Sequence, residues 1–219
     1  MISILITVYN GIEFIELAIQ SVLKQTYDSW EILIGVNGHP AESTVYKTAK
    51  TYEIRDSRIR AFDQHTLRGK VAAMNDLVGR AIYDWIAVLD VDDFWAPGKL
   101  AAQIPYLASG YDVVGTHCNY FGDLRGSPDI PVGDLTGIDF LKGNPIINSS
   151  ALIRRDLAVW SADAPHGLDD YDMWLRLWRA GCKFYNVAEH LTFHRVHRSS
   201  AFNATGNSNN IPELLARYK

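Results

Sequence analysis

The sequence predicts an α/β protein built on an open, mostly parallel sheet with helices on both faces. Three observations carry this. Short, continuously apolar runs, ISILITV (2–8), EILIGV (31–36) and WIAVL (85–89), read as strands buried on both faces. Between them lie segments whose apolar residues recur at helical spacing. Polar residues gather just beyond the carboxyl end of each run, where the ligand crevice of such a sheet lies.

The first strand occupies residues 2–8. Asn10 stands three positions before Glu13, which predicts an Asn cap with a reciprocal Glu, and Ile12, Ile15, Ala18, Ile19, Val22 and Leu23 follow at helical spacing. The second strand ends at Asn37-Gly38, and RIRAF (58–62) is a third. A helix over 69–83 carries Val71, Met74, Leu77, Val78 and Ile82 on one face, and 85–89 is the next strand. After Asp112 the repetition loosens. YDVVGTHCNYFGD reads as a strand running into a loop, GSPDIPVGDLTG as a Gly/Pro-rich connection, and SSALIRRD as a short strand. A Trp-rich helix over 169–180 and strands over 183–187 and 191–196 complete a mixed second half. One domain over 1–202 is expected, with no internal repeat and no splitting linker; 203–219, opening on NATGNSNN, reads as a tail or linker.

Bulk properties exclude several roles. A net charge of −4 lacks the basic face that nucleic acid requires. Cys118 and Cys182 fit no metal or redox spacing. No apolar run approaches the roughly 18–20 residues needed to cross a bilayer. MISILITVYN has no basic leader or small-residue cleavage site, so it reads as a core strand. A cytoplasmic protein is expected, with peripheral contact to a membrane left open.

The stretch WIAVLDVDDFWAPGKL concentrates the chemistry. A buried strand ends in Asp90, Asp92 and Asp93. A solvated turn capping a helix near Pro97 would use such residues. Yet three carboxylates this close repel, and Asp-x-Asp on an extended segment suits a hard divalent ion that also holds phosphate oxygens.

Four ordered blocks resemble family 2 glycosyltransferases of the GT-A fold, across about 2–200: ILITVYNGIEFIELAIQSVLKQTYDSWEILI, RGKVAAMNDLVGRAIYDWIAVLDVDDFWAPGKL, GLDDYDMWLRLWRAG and FHRVHRSS. The resemblance implies a metal-dependent inverting transferase. It would use Mn²⁺ or Mg²⁺ and move a sugar from a nucleoside-diphosphate donor, a UDP-sugar first, to a glycan or glycolipid hydroxyl. It assigns about 1–110 to nucleotide binding and about 111–202 to the acceptor. Thr7 and Tyr9 match positions holding the nucleotide base and ribose, Asn37 an acid that accepts a base N–H, and Arg68 a cation meeting base or diphosphate. Asp90 matches a ribose or metal ligand, Asp92 the direct metal ligand, and His197 a residue that completes the metal shell in some members, with His194 a weaker candidate. Asp93 is expected to cap or orient. Of the pair Asp169-Asp170, Asp170 matches the catalytic base, and Asp169 suits the helix N-terminus.

The chain departs from the family pattern in places. Val36-Asn37 replaces a pair of acids, Met74 an Arg, and Thr7 a Pro, so the charge that favours uracil is missing. GNPIINSSALIRRD resembles the acceptor-side segment. Trp95 and Trp160 are open between sugar stacking and core, and Trp174 is expected in the core. Two other readings stand beside the enzyme: a nucleotide-sugar-binding module without catalysis, and a sugar-nucleotide pyrophosphorylase. The latter would want a Gly-rich basic loop that TVYNGIEF does not supply.

Overall fold

The computed structural model describes residues 1–197 and 207–219. Arg198, Ser199 and Ser200 of the closing block, and the start of the low-complexity stretch, lie outside the described residues. The first half of the chain alternates strand and helix: β1 (Ile2–Val8), α1 (Ile15–Leu23), β2 (Trp30–Asn37), α2 (Thr44–Arg55), β3 (Ile59–Gln64), α3 (Gly69–Arg80) and β4 (Trp85–Val88). The second half is mixed: β5 (Phe94–Trp95), α4 (Lys99–Ala108), β6 (Val113–Gly122), β7 (Gly133–Asp134), β8 (Leu152–Arg154), α5 (Asp169–Arg179), β9 (Phe184–Val196) and α6 (Ile211–Ala216).

These strands form one sheet in the order β3-β2-β1-β4-β8-β6-β9-β5, with β7 also on β9. The β3-β2-β1-β4 half is parallel, β8 pairs antiparallel with β4 and β6, and β6 pairs parallel with β9. Strand periodicity sorts the core into two layers. Ile2, Ile4, Ile6 and Val8 of β1 pack with Ile19 and Val22 of α1 and Ala49 and Tyr52 of α2. Leu5 and Leu33 face the other way, toward Met74 and Leu77 of α3 and Trp174 of α5. Helices therefore cover both faces, as the continuous apolar runs require. Within β2, buried Glu31 accepts from Ser3 Oγ at 2.7 Å, Arg60 Nη2 at 2.7 Å and the Ile82 N–H at 2.9 Å. That carboxylate fixes the turn from α3 into β4, and so the height at which the Asp90 loop emerges.

Several local expectations are corrected. Asn10 does not cap a helix. The chain enters through Gly11 at φ 84° and a short 3-10 turn, Ile12–Phe14, with no side-chain cap, before α1 begins at Ile15. The third helix stops at Arg80, leaving Ile82 61 % exposed beyond it. Helix α2 is not announced by the sequence because it buries little besides Ala49 and Tyr52, too few apolar positions for a visible stripe. The two expected late strands are one, β9, whose register against β6 shifts at His117. Trp95, Trp160 and Trp174 are all at least 98 % buried, which removes Trp95 and Trp160 as sugar-stacking candidates. Within the expected tail, α6 packs its buried Leu214 into the α3/α5 layer, and Tyr218 Oη donates to buried Asp172 at 2.6 Å. Cys118 is buried, Cys182 half-buried, and both are free thiols.

Candidate functional site

The carboxyl ends of β1, β2 and β4 gather the predicted residues into neighbouring groups. The first is centred on Asp90, just past β4. Lys70 Nζ, in the first turn of α3, lies 2.9 Å from Asp90 Oδ1. Asn148 Nδ2 donates to Asp90 Oδ2 at 3.0 Å, and Ser149 Oγ donates to the same oxygen at 3.3 Å while accepting the Asp90 N–H at 3.1 Å. Burial alone would push this carboxyl up; the Lys70 charge and the hydrogen bonds from Asn148 and Lys70 outweigh it and hold Asp90 below the ordinary carboxylate value. Lys70 is in turn opposed by burial, but Asp90 first, then Asp169 and Asp170, hold its ammonium well above the usual lysine range.

Asp170 opens α5 on the same side. Its Oδ1 accepts the Tyr171 N–H at 2.8 Å, and Asn144 Nδ2 approaches its Oδ2 at 3.4 Å. Burial, followed by repulsion from Asp169, raises this carboxyl to about 6, although Lys70 pulls the other way. A carboxylate with its affinity for protons raised, on a helix anchored by fully buried Trp174 and Leu175, is suited to accepting a proton. Asp169 has one buried oxygen, Oδ2, without a hydrogen bond among the described residues.

The second group links the rest of the acidic loop to the end of β9. Asp92 Oδ2 and His197 Nε2 are 2.9 Å apart. Burial, then the neighbouring charges of Asp93 and Asp90, raise the Asp92 carboxyl. Fully buried Asp93 accepts from the Arg195 N–H at 2.7 Å and meets His194 Nδ1 at 2.9 Å. Burial would lower the His194 imidazole, but the charge of Asp93 carries it up to about 9. Arg195 Nε donates to the Asp92 carbonyl at 3.0 Å, its guanidinium held between Phe14 and Phe121 with ring centroids at 4.3 and 4.4 Å. Asp93 orients β9 and caps no helix; α4 begins after Gly98 without a side-chain cap.

The remaining predicted residues lie around the β1 and β2 ends. Thr7 is the penultimate residue of β1, and Tyr9 lies just beyond it, 58 % exposed. Its carbonyl meets His39 Nε2 at 2.6 Å. A Cβ on Gly38 would come within 2.1 Å of the Tyr9 ring, and Gly38 sits at φ 77°, so this approach requires glycine. Asn37 is buried, donates from Nδ2 to the Gly69 carbonyl at 3.2 Å, and has an Oδ1 with no hydrogen bond among the described residues. Arg68, the residue before α3, is exposed.

Sequence reasoning missed Lys70, Asn144, Asn148 and Ser149. Lys70 carries a signal in hindsight, a cation two residues from Arg68 at a helix start. The other three belong to a loop whose partners are 26 to 59 residues away in the chain.

Comparison with known proteins decides the family. The profile described as "Glycosyl transferase family 2" matches residues 3–132. The chain belongs to this family. This glycosyltransferase-family chain is 30 % identical over 229 residues to EpsE of Bacillus subtilis, a glycosyltransferase by name, with 100 % of this chain and 81 % of EpsE covered. It is 29 % identical to WfaP of Escherichia coli, a UDP-Glc:alpha-D-GlcNAc-diphosphoundecaprenol beta-1,3-glucosyltransferase, over 98 % of this chain and 83 % of WfaP. Among solved structures, it superposes on Staphylococcus aureus TarS 1-349 in complex with UDP-GlcNAc at a TM-score of 0.77, with 12 % identity and 99 % of this chain covered. With the mannosyltransferase PcManGT of Pyrobaculum calidifontis, in complex with GDP-Man and Mn²⁺, the TM-score is 0.74 at 13 % identity and 98 % coverage. The chain spans 66 % and 62 % of those two solved chains. These likenesses establish the GT-A fold for the family member described here.

Proposed function

We propose that this chain transfers a sugar from a nucleoside-diphosphate sugar, a UDP-sugar first, to a hydroxyl of a glycan or glycolipid acceptor, with inversion at the anomeric carbon. The observation that carries the reading is the convergence of Asp90, Lys70 and Asp170. A hydrogen-bonding carboxylate, a cation and a proton acceptor share one side of the sheet's carboxyl edge. WfaP, by its name, uses UDP-Glc and a lipid-linked acceptor, and TarS holds UDP-GlcNAc. WfaP supports the donor and acceptor classes named here, and TarS the donor class.

Tyr9 offers an exposed ring face to the base, Thr7 a neighbouring hydroxyl, and Asn37 an acceptor oxygen for a base N–H. Arg68 offers an exposed charge to the diphosphate. Asp90 takes the ribose side. No group of three or more His, Cys, Asp or Glu side chains suited to a metal ion exists among the described residues. Asp92 and His197 nevertheless meet, and this carboxylate–imidazole pair would hold Mn²⁺, with Mg²⁺ resting mainly on the Asp92 carboxylate. Burial, then the charges of Asp93 and Asp90, raise the Asp92 carboxyl, so added positive charge there would relieve repulsion. A divalent ion held there would supply Lewis-acid neutralisation of the departing diphosphate.

Asp170 accepts the proton of the acceptor hydroxyl as its oxygen attacks the anomeric carbon. The carbon–oxygen bond to the diphosphate breaks on the opposite face, and its electron pair leaves with the nucleoside diphosphate. One base therefore suffices, with no covalent sugar intermediate. No helix among the described residues is long and apolar enough to cross a membrane. We assign the chain to the cytoplasm, in peripheral contact with a membrane where its acceptor is lipid-linked.

The deciding experiment is a panel of UDP-, GDP- and dTDP-sugars with Mn²⁺, with Mg²⁺ and without metal, scored by donor hydrolysis and thermal shift, beside Asp170→Asn. Metal-dependent cleavage of one donor by the natural chain, lost in the variant, supports the reading. Metal-dependent binding without turnover, even with lipid-linked and free glycan acceptors, favours a binding module. Absence of any binding overturns the donor site.

A further inference from the structure

Lys99 lies at the start of α4 and is fully buried. Among the described residues it meets no carboxylate: its amine donates to Gln103 Oε1 at 2.9 Å and lies 4.0 Å from the Trp95 ring centroid. Desolvation of an unpaired amine opposes folding, and hydrocarbon of similar shape would fill the same space without that penalty. What the amine contributes must therefore be sought in the groups it orients.

Both partners of Lys99 reach the same turn. Trp95 Nε1 donates to the Ser149 carbonyl at 2.7 Å, and Gln103 Nε2 donates to the Ser150 carbonyl at 2.9 Å and to the Val114 carbonyl at 2.6 Å. Because Lys99 occupies the Gln103 oxygen, the amide nitrogen is aimed at those two carbonyls. The same amine, packed over the Trp95 face, restrains the ring whose N–H holds Ser149. From this turn, Asn148–Ser150, Ser149 Oγ and Asn148 Nδ2 hold Asp90. An unbroken run of contacts thus joins a buried amine on α4 to the carboxylate beside Lys70.

We infer that Lys99 and Gln103 are positioning residues for Asp90, acting through Trp95 and the Asn148–Ser150 turn. The inference rests on the donor-site reading of Asp90. It makes the interior face of α4 part of the donor machinery although none of its side chains would touch the donor. Networks of this kind are worth more than their separate bonds, because each member fixes the direction of the next.

The test uses Lys99→Met, with Gln103→Met as the second variant and Ser149→Ala as the partner in a double-mutant cycle. Three quantities are read: thermal midpoint, hydrogen exchange of the Trp95 indole N–H by NMR, and affinity for UDP, GDP and dTDP, each with Mn²⁺. The expected result is a Lys99→Met midpoint at or above that of the natural chain. Its Trp95 indole exchange should be about tenfold faster, and its affinity for the bound nucleotide about five- to tenfold weaker. The affinity loss should be largely absent when Ser149→Ala is already present, since coupled residues are not additive. Unchanged indole exchange in both Lys99→Met and Gln103→Met overturns the relay whatever the nucleotides do. Full additivity with Ser149→Ala also overturns it. If the natural chain binds none of the three nucleotides, the donor-site reading fails on its own, and the indole exchange still decides the relay.

Discussion

Lys70 Nζ stands 2.9 Å from Asp90 Oδ1 at the start of α3, and its charge is also felt by Asp170 at the start of α5. One cation thus connects the carboxylate we assign to the donor with the carboxylate we assign to the acceptor. It keeps the first ionised and partly offsets the repulsion that raises the second. In the absence of substrate, Lys70 moderates the acidic knot that the sequence places at the end of β4.

Removing that cation should be felt in both stability and binding. Lys70→Met leaves Asp90 with neutral donors only, and the cost expected for a partly buried pair losing one partner is about 1–3 kcal/mol. Lys70→Arg should recover most of it. Urea unfolding of the three proteins checks the stability, and nucleotide titration calorimetry checks for a parallel loss of affinity in the Met variant alone.

Asp170 gives a signed pH dependence. Its folded carboxyl is raised to about 6 by burial and Asp169, so the stability it contributes is complete below the unfolded value near 4 and is lost as pH rises through about 6. Asp170→Asn should therefore unfold at higher denaturant than the natural chain at pH 7.5, with the two converging near pH 4. The same variant should lose kcat by a factor on the order of 10²–10⁴ while donor affinity holds. In the natural chain, kcat should rise with pH through about 6.

His194 runs in the opposite sense to an ordinary acid pair. Its folded value of about 9 lies above the unfolded one near 6.5, so its contribution is full below pH 6.5 and disappears as pH rises through about 9. Its side chain is 37 % exposed, and solvent screening reduces the expected effect to about 1 kcal/mol. Chemical denaturation of the metal-free protein between pH 6 and 9.5 should show this decline, and His194→Gln should flatten it.

Gly38→Ala tests the base-side geometry without touching a charge. The added methyl meets the Tyr9 ring, and the backbone at φ 77° disfavours any side chain. A loss of about 1–3 kcal/mol is expected, together with weaker nucleotide binding as Tyr9 is displaced. Gly79→Ala, in an open position on α3, is the control and should leave both unchanged or slightly improve stability.

The sequence by itself determined the parallel half of the sheet, because strands covered on both faces must be continuously apolar and helices covered on one face must carry a stripe. It also marked Asp90 and Asp92, whose crowding at a strand end is costly unless a cation is held there, whereas Asp170 followed from the family resemblance. Helix α2 stayed hidden because it buries so little, and the Asn10 cap was displaced by a left-handed Gly11 that no pattern announces. Only the tertiary structure decided which residues surround the candidate site. Asn148 and Ser149 reach Asp90 across 58 and 59 positions, and His194 reaches Asp93 across 101. Such partners are chosen by how β8 and β9 dock on the parallel half. Periodicity reports what a segment buries, whereas a hydrogen bond between distant segments depends on where the packed sheet brings them.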